Sequence, residues 1–371
     1  MSWSYLLKGA GFCGSYLAVP CICLNLRTNS VYKNWIYLGF KAMSKLYSHR
    51  LLVSLISMVS IIFLLSGCSF QSSDDLRATP ENASNYQHKS TVFANSAMIA
   101  AANPLAVEAG LVVLKAGGSA VDAAIAVQSV LSLVEPQSSG LGGGGFMLVY
   151  DPVTGRLTSF DGRETAPLAV TPALFLNEKG EKLGFFDAIV GGRAVGTPGL
   201  VHLLARTHAR YGKLPWRDLF QPVIELAESG FPVSERLHKL VSDDKHLKND
   251  PVARDYFYRP DGVPRRVGEV LRNPELAKTY RLLRDYGAAG FYSGDLAARI
   301  VKKVQNHPTN PGKLALIDLK TYRSLERDLV CGRYGNYRVC GMAPPSSGGI
   351  TVLQSLALME SAKARQPAMI R

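Results

Sequence analysis

Apolar residues recur at helical spacing at Val107, Leu111 and Leu114, then run almost unbroken over residues 123–134. The first stretch predicts a helix that opens on Asn103, takes Pro104 at its first position and ends at Gly117-Gly118. Ser119-x-x-Asp122 is a capping box for the second helix, and Pro136 stops it. Being apolar nearly all round, that helix is expected to be buried. The apolar stretch over 146–150 and the one over 157–160 read as strands of a hairpin, turned by Asp151-Pro152-Val153-Thr154-Gly155, with Pro and Gly in suitable places. Residues 93–101 read as a strand entering the fold.

Further on, amphipathic helices are predicted over 200–210, 216–229 (ended by Gly230), 274–286 and 294–305, with a last one over 351–364. Residues 243–259 are charged and read as an irregular surface segment. Tyr292 and Asp295 read as packing and capping residues.

The glycine run over 140–145 matches G-x-G-x-x-G at Gly140, Gly142 and Gly145. A dinucleotide fingerprint needs a strand before it and a helix after it. Here a helix precedes and a strand follows, so that reading fails on context. Four consecutive glycines, Gly142 to Gly145, let backbone approach closely. They suit either tight helix–strand packing or a site wall with exposed amides. Just past the hairpin stand Asp161, Arg163 and Glu164. Arg163 suits an ion pair with Glu164 or Asp161, and equally a bidentate grip on a carboxylate ligand.

Composition changes little of this. The 371 residues are 47% hydrophobic and 19% charged, as in globular proteins. The formal charge is +13, but residues 1–68 hold six Lys/Arg and no Asp/Glu, leaving +7 for the remainder. With no arginine-rich tract, zinc-finger spacing or RNP pattern, no nucleic-acid partner is expected. The seven histidines show no metal spacing, and no metal or cofactor is expected.

Two other segments carry chemistry of their own. Lys45, His49 and Arg50 precede an apolar run over 51–65 that ends in Leu65-Ser66-Gly67-Cys68. This resembles a bacterial lipoprotein signal over 43–68, with Cys68 the lipidated residue, a membrane anchor and a periplasmic location in the cell envelope. An anchor helix or plain secretion are the alternatives. Residues 1–42 then read as an over-called extension ahead of Met43, and 69–90 as a flexible tether. A two-residue turn at Gly335-Asn336 sets Cys331 opposite Cys340, a candidate disulfide in an oxidising compartment. Reduced thiols are the alternative.

Over residues 93–359 a set of motifs falls in one order: AGGSAVDAAIAV, LGGGGFMLVY, FDGRETAP, GTPG, YGKLPW and APPSSGGI. Together they resemble the gamma-glutamyltranspeptidases. The resemblance implies an α+β, Ntn-hydrolase-like four-layer αββα sandwich, of which residues 91–371 would form an incomplete, large-subunit part. It implies a precursor that cuts itself, after which the new N-terminal threonine of the small subunit is the nucleophile and its amine the base. Arg163 then corresponds to the arginine that binds the α-carboxylate of glutathione or another γ-glutamyl compound. The small subunit would be the protein partner. That threonine is expected some tens of residues beyond APPSSGGI, so no catalytic residue is assigned here and the chain is expected to be inactive alone. Ser346 and Ser347 have neither a G-x-S-x-G elbow nor a histidine beyond His307, and the resemblance makes their loop scaffold. A related Ntn amidase, cephalosporin acylase-like or capsule-depolymerase-like, and an inactive envelope lipoprotein remnant are the alternatives.

Overall fold

The computed structural model describes residues 91–365, all within the unit spanning Arg77–Arg371. The expectations for residues 1–90, Cys68 included, lie outside the described residues.

The two predicted opening helices form, and their caps are the predicted ones. Helix α1 (Pro104–Lys115) starts where Asn103 Oδ1 accepts from Leu105 N at 3.0 Å. It is left through Gly117, whose φ of +89° strains any other residue. Helix α2 (Ala120–Val134) starts on the full capping box: Ser119 Oγ accepts from Asp122 N and Asp122 Oδ2 from Ser119 N. The Asp122 carboxylate is buried and also accepts from Lys213 N at 2.8 Å and Leu214 N at 3.1 Å. One side chain therefore starts α2 and docks the YGKLPW loop. Burial pushes the Asp122 pKa up, but the amides of Lys213, Ser119 and Leu214 outweigh it and hold the pKa below the usual carboxylate value.

Strands β1 (Gly145–Asp151) and β2 (Arg156–Gly162) make the predicted hairpin, in register from Gly145↔Gly162 to Asp151↔Arg156. A short helix, α3 (Phe185–Ile189), and a loop lead to α4 (Leu200–Tyr211). The predicted helix over 216–229 divides into a 3₁₀ turn (Trp216–Phe220) and α5 (Gln221–Ser229), because Pro222 has no N–H to continue the ladder. Strand β3 (Phe231–Pro232) and α6 (Glu235–Asp243) follow. The segment expected to be irregular contains a helix, α7 (Pro251–Phe257), capped by Asp250, whose side chain accepts from Ala253 N. Its charged surface masked a local start signal, Asp-Pro. Strand β4 (Val270–Leu271) pairs with β3, and α8 (Pro274–Tyr286), α9 (Ala289–Tyr292), α10 (Gly294–Gln305) and α11 (Leu316–Thr321) complete the helical sector.

The chain then returns to the sheet. Strand β5 (Leu325–Arg327) pairs with β2, giving a three-stranded sheet in the order β1-β2-β5. A second hairpin, β6 (Leu329–Tyr334) and β7 (Tyr337–Met342), turns through Gly335 at φ +55°, and α12 (Gly348–Arg365) packs on it. Cys331 and Cys340 are directly opposite and their sulfurs are bonded.

The main core lies between α1, α2, α4, α5 and α8, with Phe160 of β2 reaching into it. Tyr280, Phe220, Ile125 and Leu133 are fully buried there. Each such side chain is worth about 1.5–3 kcal/mol relative to exposure. The Tyr280 hydroxyl lies 2.5 Å from Ser132 Oγ and donates to Ser129 O at 3.1 Å, so no polar atom is stranded there.

Residues 93–101 do not form the predicted strand. Phe93 is 88% exposed, and no described strand pairs with the segment. Its apolar pattern has a different use. Ile99 drops onto Gly110 of α1, where a Cβ would stand only 2.6 Å from Ile99 Cδ1.

Candidate functional site

The glycine run sits where three pieces of backbone meet. A Cβ at Gly144 would lie 2.6 Å from Gly162 O and 2.9 Å from Glu164 N, so only glycine lets the run cross the end of β2. Gly143 O accepts from Gly199 N at 2.9 Å and Leu200 N at 3.1 Å, which ties the run to the start of α4. The close-packing reading of the run therefore has its place at Gly144. Gly143 and Gly144 serve close packing, while a Cβ at Gly140 or Gly142 would meet nothing.

Arg163 follows the last residue of β2. Its backbone N donates to Asp161 Oδ1 at 2.8 Å, and its carbonyl accepts from Tyr322 Oη at 2.7 Å. The buried Asp161 accepts from Arg327 Nε at 2.7 Å through its other oxygen. Of the two ion pairs open in the sequence, Asp161 is thus engaged by Arg327, and Arg163 Nε faces Glu164 Oε2 at 3.3 Å. The Arg163 side chain remains 59% exposed. A pinned backbone beneath an exposed guanidinium leaves a planar fork of donors for a carboxylate arriving from solvent.

Thr165 and Thr197 form a backbone bridge, with N···O distances of 3.3 and 2.7 Å, that joins the FDGRETAP segment to GTPG. Behind it Tyr292 Oη donates to Pro198 O at 2.8 Å and accepts from His202 N at 3.2 Å. Tyr292 therefore packs as predicted. Asp295 makes an exposed pair with Arg299 at 2.9 Å and caps nothing.

Other candidates stand apart from this arrangement. Ser346 Oγ accepts from Gly348 N at 3.2 Å and Ser347 O from Thr351 N at 3.0 Å, so both serve the start of α12. Among the described residues no group of His, Cys, Asp and Glu could hold a metal ion. Also among them, no helix is long and apolar enough to cross a membrane. Sequence reasoning missed Tyr322 and Arg327, which contact the Arg163 turn from 159 and 166 residues away. No local pattern marks either.

A gamma-glutamyltranspeptidase family model matches residues 106–370. The glutathione hydrolase proenzyme of Bacillus subtilis is 36% identical over 308 residues, 83% of this chain and 51% of that protein. The capsule biosynthesis protein CapD proenzyme of Bacillus anthracis is 36% identical over 323 residues, 87% of this chain and 53% of that protein. The chain thus spans about half the length of these relatives. The crystal structure of the Helicobacter pylori gamma-glutamyltranspeptidase superposes with a TM-score of 0.69 at 32% identity, covering 73% of this chain and 77% of that one. The α+β, Ntn-hydrolase-like fold expected from the motifs is therefore the fold observed. The chain belongs to the gamma-glutamyltranspeptidase family.

Proposed function

We propose that this chain is the large-subunit part of an enzyme that moves γ-glutamyl groups from glutathione or related compounds to water or an amine. The observation that carries the proposal is Arg163, an exposed guanidinium on a turn clasped by Asp161 and Tyr322 beside the glycine run. In this reading Arg163 grips the substrate α-carboxylate and so sets where the γ-carbonyl lies. The small subunit brings the threonine. Its hydroxyl oxygen bonds to the γ-carbonyl carbon, the amide C–N bond breaks, and the leaving amine takes the proton through the threonine's own amine. Water or an acceptor amine then attacks the ester and frees the threonine. No cofactor takes part. A lipid at Cys68 would hold the protein on the periplasmic side of the envelope.

The test is to express the full chain together with a small-subunit chain of the family that begins at the threonine. We expect release of p-nitroaniline from γ-glutamyl-p-nitroanilide. Arg163→Ala should lower kcat/KM by about 10- to 100-fold, the range for a lost charged hydrogen bond. Absence of release, or release indifferent to Arg163→Ala, would overturn the reading. CapD, named for capsule biosynthesis, matches this chain at the same identity as the Bacillus subtilis glutathione hydrolase, which supports a capsule polymer as the second substrate reading. Preference for such a polymer over glutathione in the same assay would select it.

A further inference from the structure

The GTPG motif and the segment around Tyr322 have no role in the chemistry above, yet they meet at one point. Tyr322 lies just past α11 and is buried, with its hydroxyl on the Arg163 carbonyl at 2.7 Å. Its ring stacks on Tyr292 (centroids 6.0 Å apart, planes 2° from parallel) and meets the His202 ring edge-on at 5.9 Å. The approach depends on Gly199, where a Cβ would stand 2.1 Å from Tyr322 Oη and 2.2 Å from Gly162 O. The last glycine of GTPG is therefore the space through which the hydroxyl reaches the Arg163 turn. We infer that Tyr322 is a positioning residue for substrate recognition: through its hydroxyl, and by way of the opening at Gly199, it fixes the Arg163 carbonyl and so aims the guanidinium at the substrate carboxylate.

The geometry separates this role from plain core packing. The ring is already held by Tyr292 and His202, so removing only the hydroxyl leaves the stack in place. The hydroxyl meets the one backbone carbonyl that belongs to the exposed arginine. On the other side of the same residue, Asp161 takes the amide and is itself fixed by Arg327. Arg163 is thus gripped at both backbone polar groups, and its side chain is the part left to move. Burial, with the Asp161 and Glu164 carboxylates nearby, raises the Tyr322 pKa to about 12, which keeps the hydroxyl a donor throughout the working range.

Because the inference concerns Arg163 as a carboxylate grip, it rests on the function proposed above. The decisive variant is Tyr322→Phe, which keeps the ring. Two measurements read it. Hydrogen exchange on the full chain alone should show the amides of residues 163–165 exchanging at least about fivefold faster, with α1 and α2 unchanged. Unchanged exchange at 163–165 would overturn the inference, whatever the state of the active enzyme. With the small subunit present, kcat/KM is compared for γ-glutamyl-p-nitroanilide and γ-aminobutyryl-p-nitroanilide, which lacks the α-carboxylate. Tyr322→Phe should lower the ratio of the two several-fold through KM, with kcat nearly constant. It should have no further effect in the Arg163→Ala background. Equal losses on both substrates, or additive losses in the double variant, would assign Tyr322 to packing and overturn the inference alone. A ratio insensitive to Arg163→Ala would overturn the substrate reading and this inference with it.

Discussion

The helical sector around α2 and the strand sector of β1, β6, β7 and α12 are built to different standards. In the first, Ile125, Leu133, Phe220 and Tyr280 are fully buried, and the Tyr280 hydroxyl is met by Ser132 and Ser129. In the second, β1 presents Leu148 and Tyr150 to solvent along an edge with no described partner. Helix α12 packs on its hairpin while leaving Val352, Leu358 and Met359 exposed. The difference teaches where this chain is sufficient by itself. The helices bury their apolar faces on one another. The strands keep apolar faces and an unpaired edge, which are costly in water and prone to association. The proposed small subunit would cover these surfaces. The candidate site lies at the junction, where the glycine run joins the end of β2 to the start of α4.

Substitutions in the two sectors should therefore act on different scales. The largest effect is expected at the helical core. Tyr280→Ala opens a cavity in the core and should cost about 3–5 kcal/mol in urea unfolding of the chain. A loss under about 1 kcal/mol would mean the core is not the stabilising unit. Next, Cys331→Ser with Cys340→Ser should cost about 2–3 kcal/mol, felt in the β6–β7 hairpin rather than the core. Limited proteolysis should then cut near Gly335 first, and core unfolding ahead of that cut would erase the contrast between sectors. Asp122→Ala removes the α2 box and leaves the amides of Lys213 and Leu214 without their acceptor. A cost of about 1–2 kcal/mol is expected, with Asp122→Asn recovering part of it.

The smallest expected effect is on pH. Burial, with the positive charges of Arg323 and Arg206, holds the His202 pKa below its usual value, and its Nδ1 accepts from Ser324 N at 3.2 Å. The unfolded chain therefore binds the proton first as pH falls. Stability should be constant above about 6.5, the ordinary histidine value, and decline as pH drops from there toward the depressed folded value. His202→Gln should flatten that part of the stability–pH curve. An unchanged slope would show that another group titrates there.

How far the fold could be read in advance follows from the range of each interaction. Asn103, Ser119-x-x-Asp122 and Gly335-Asn336 act on backbone groups within about four residues, so their local sequence already specifies the geometry. Residues 93–101 carry strand-like patterning, but a strand exists only with a partner, and the partner is a matter of the whole molecule. The α7 helix shows the converse: Asp250-Pro251 was a readable start signal hidden among charges.

At the site the same division holds. The residues themselves determined the glycine run, the hairpin and the position of Arg163 just past its end. They also carried the family motifs, because each is a short run of chemistry with a fixed spacing. The tertiary structure alone decided which acid Arg163 faces, why Asp161 is unavailable to it, and how Tyr322 reaches its carbonyl through the space at Gly199. The Tyr322 and Arg327 contacts join parts of the chain some 160 residues apart. Only the packing of α4 and β5 against β2 brings them within hydrogen-bonding distance, and no local pattern of side chains encodes that.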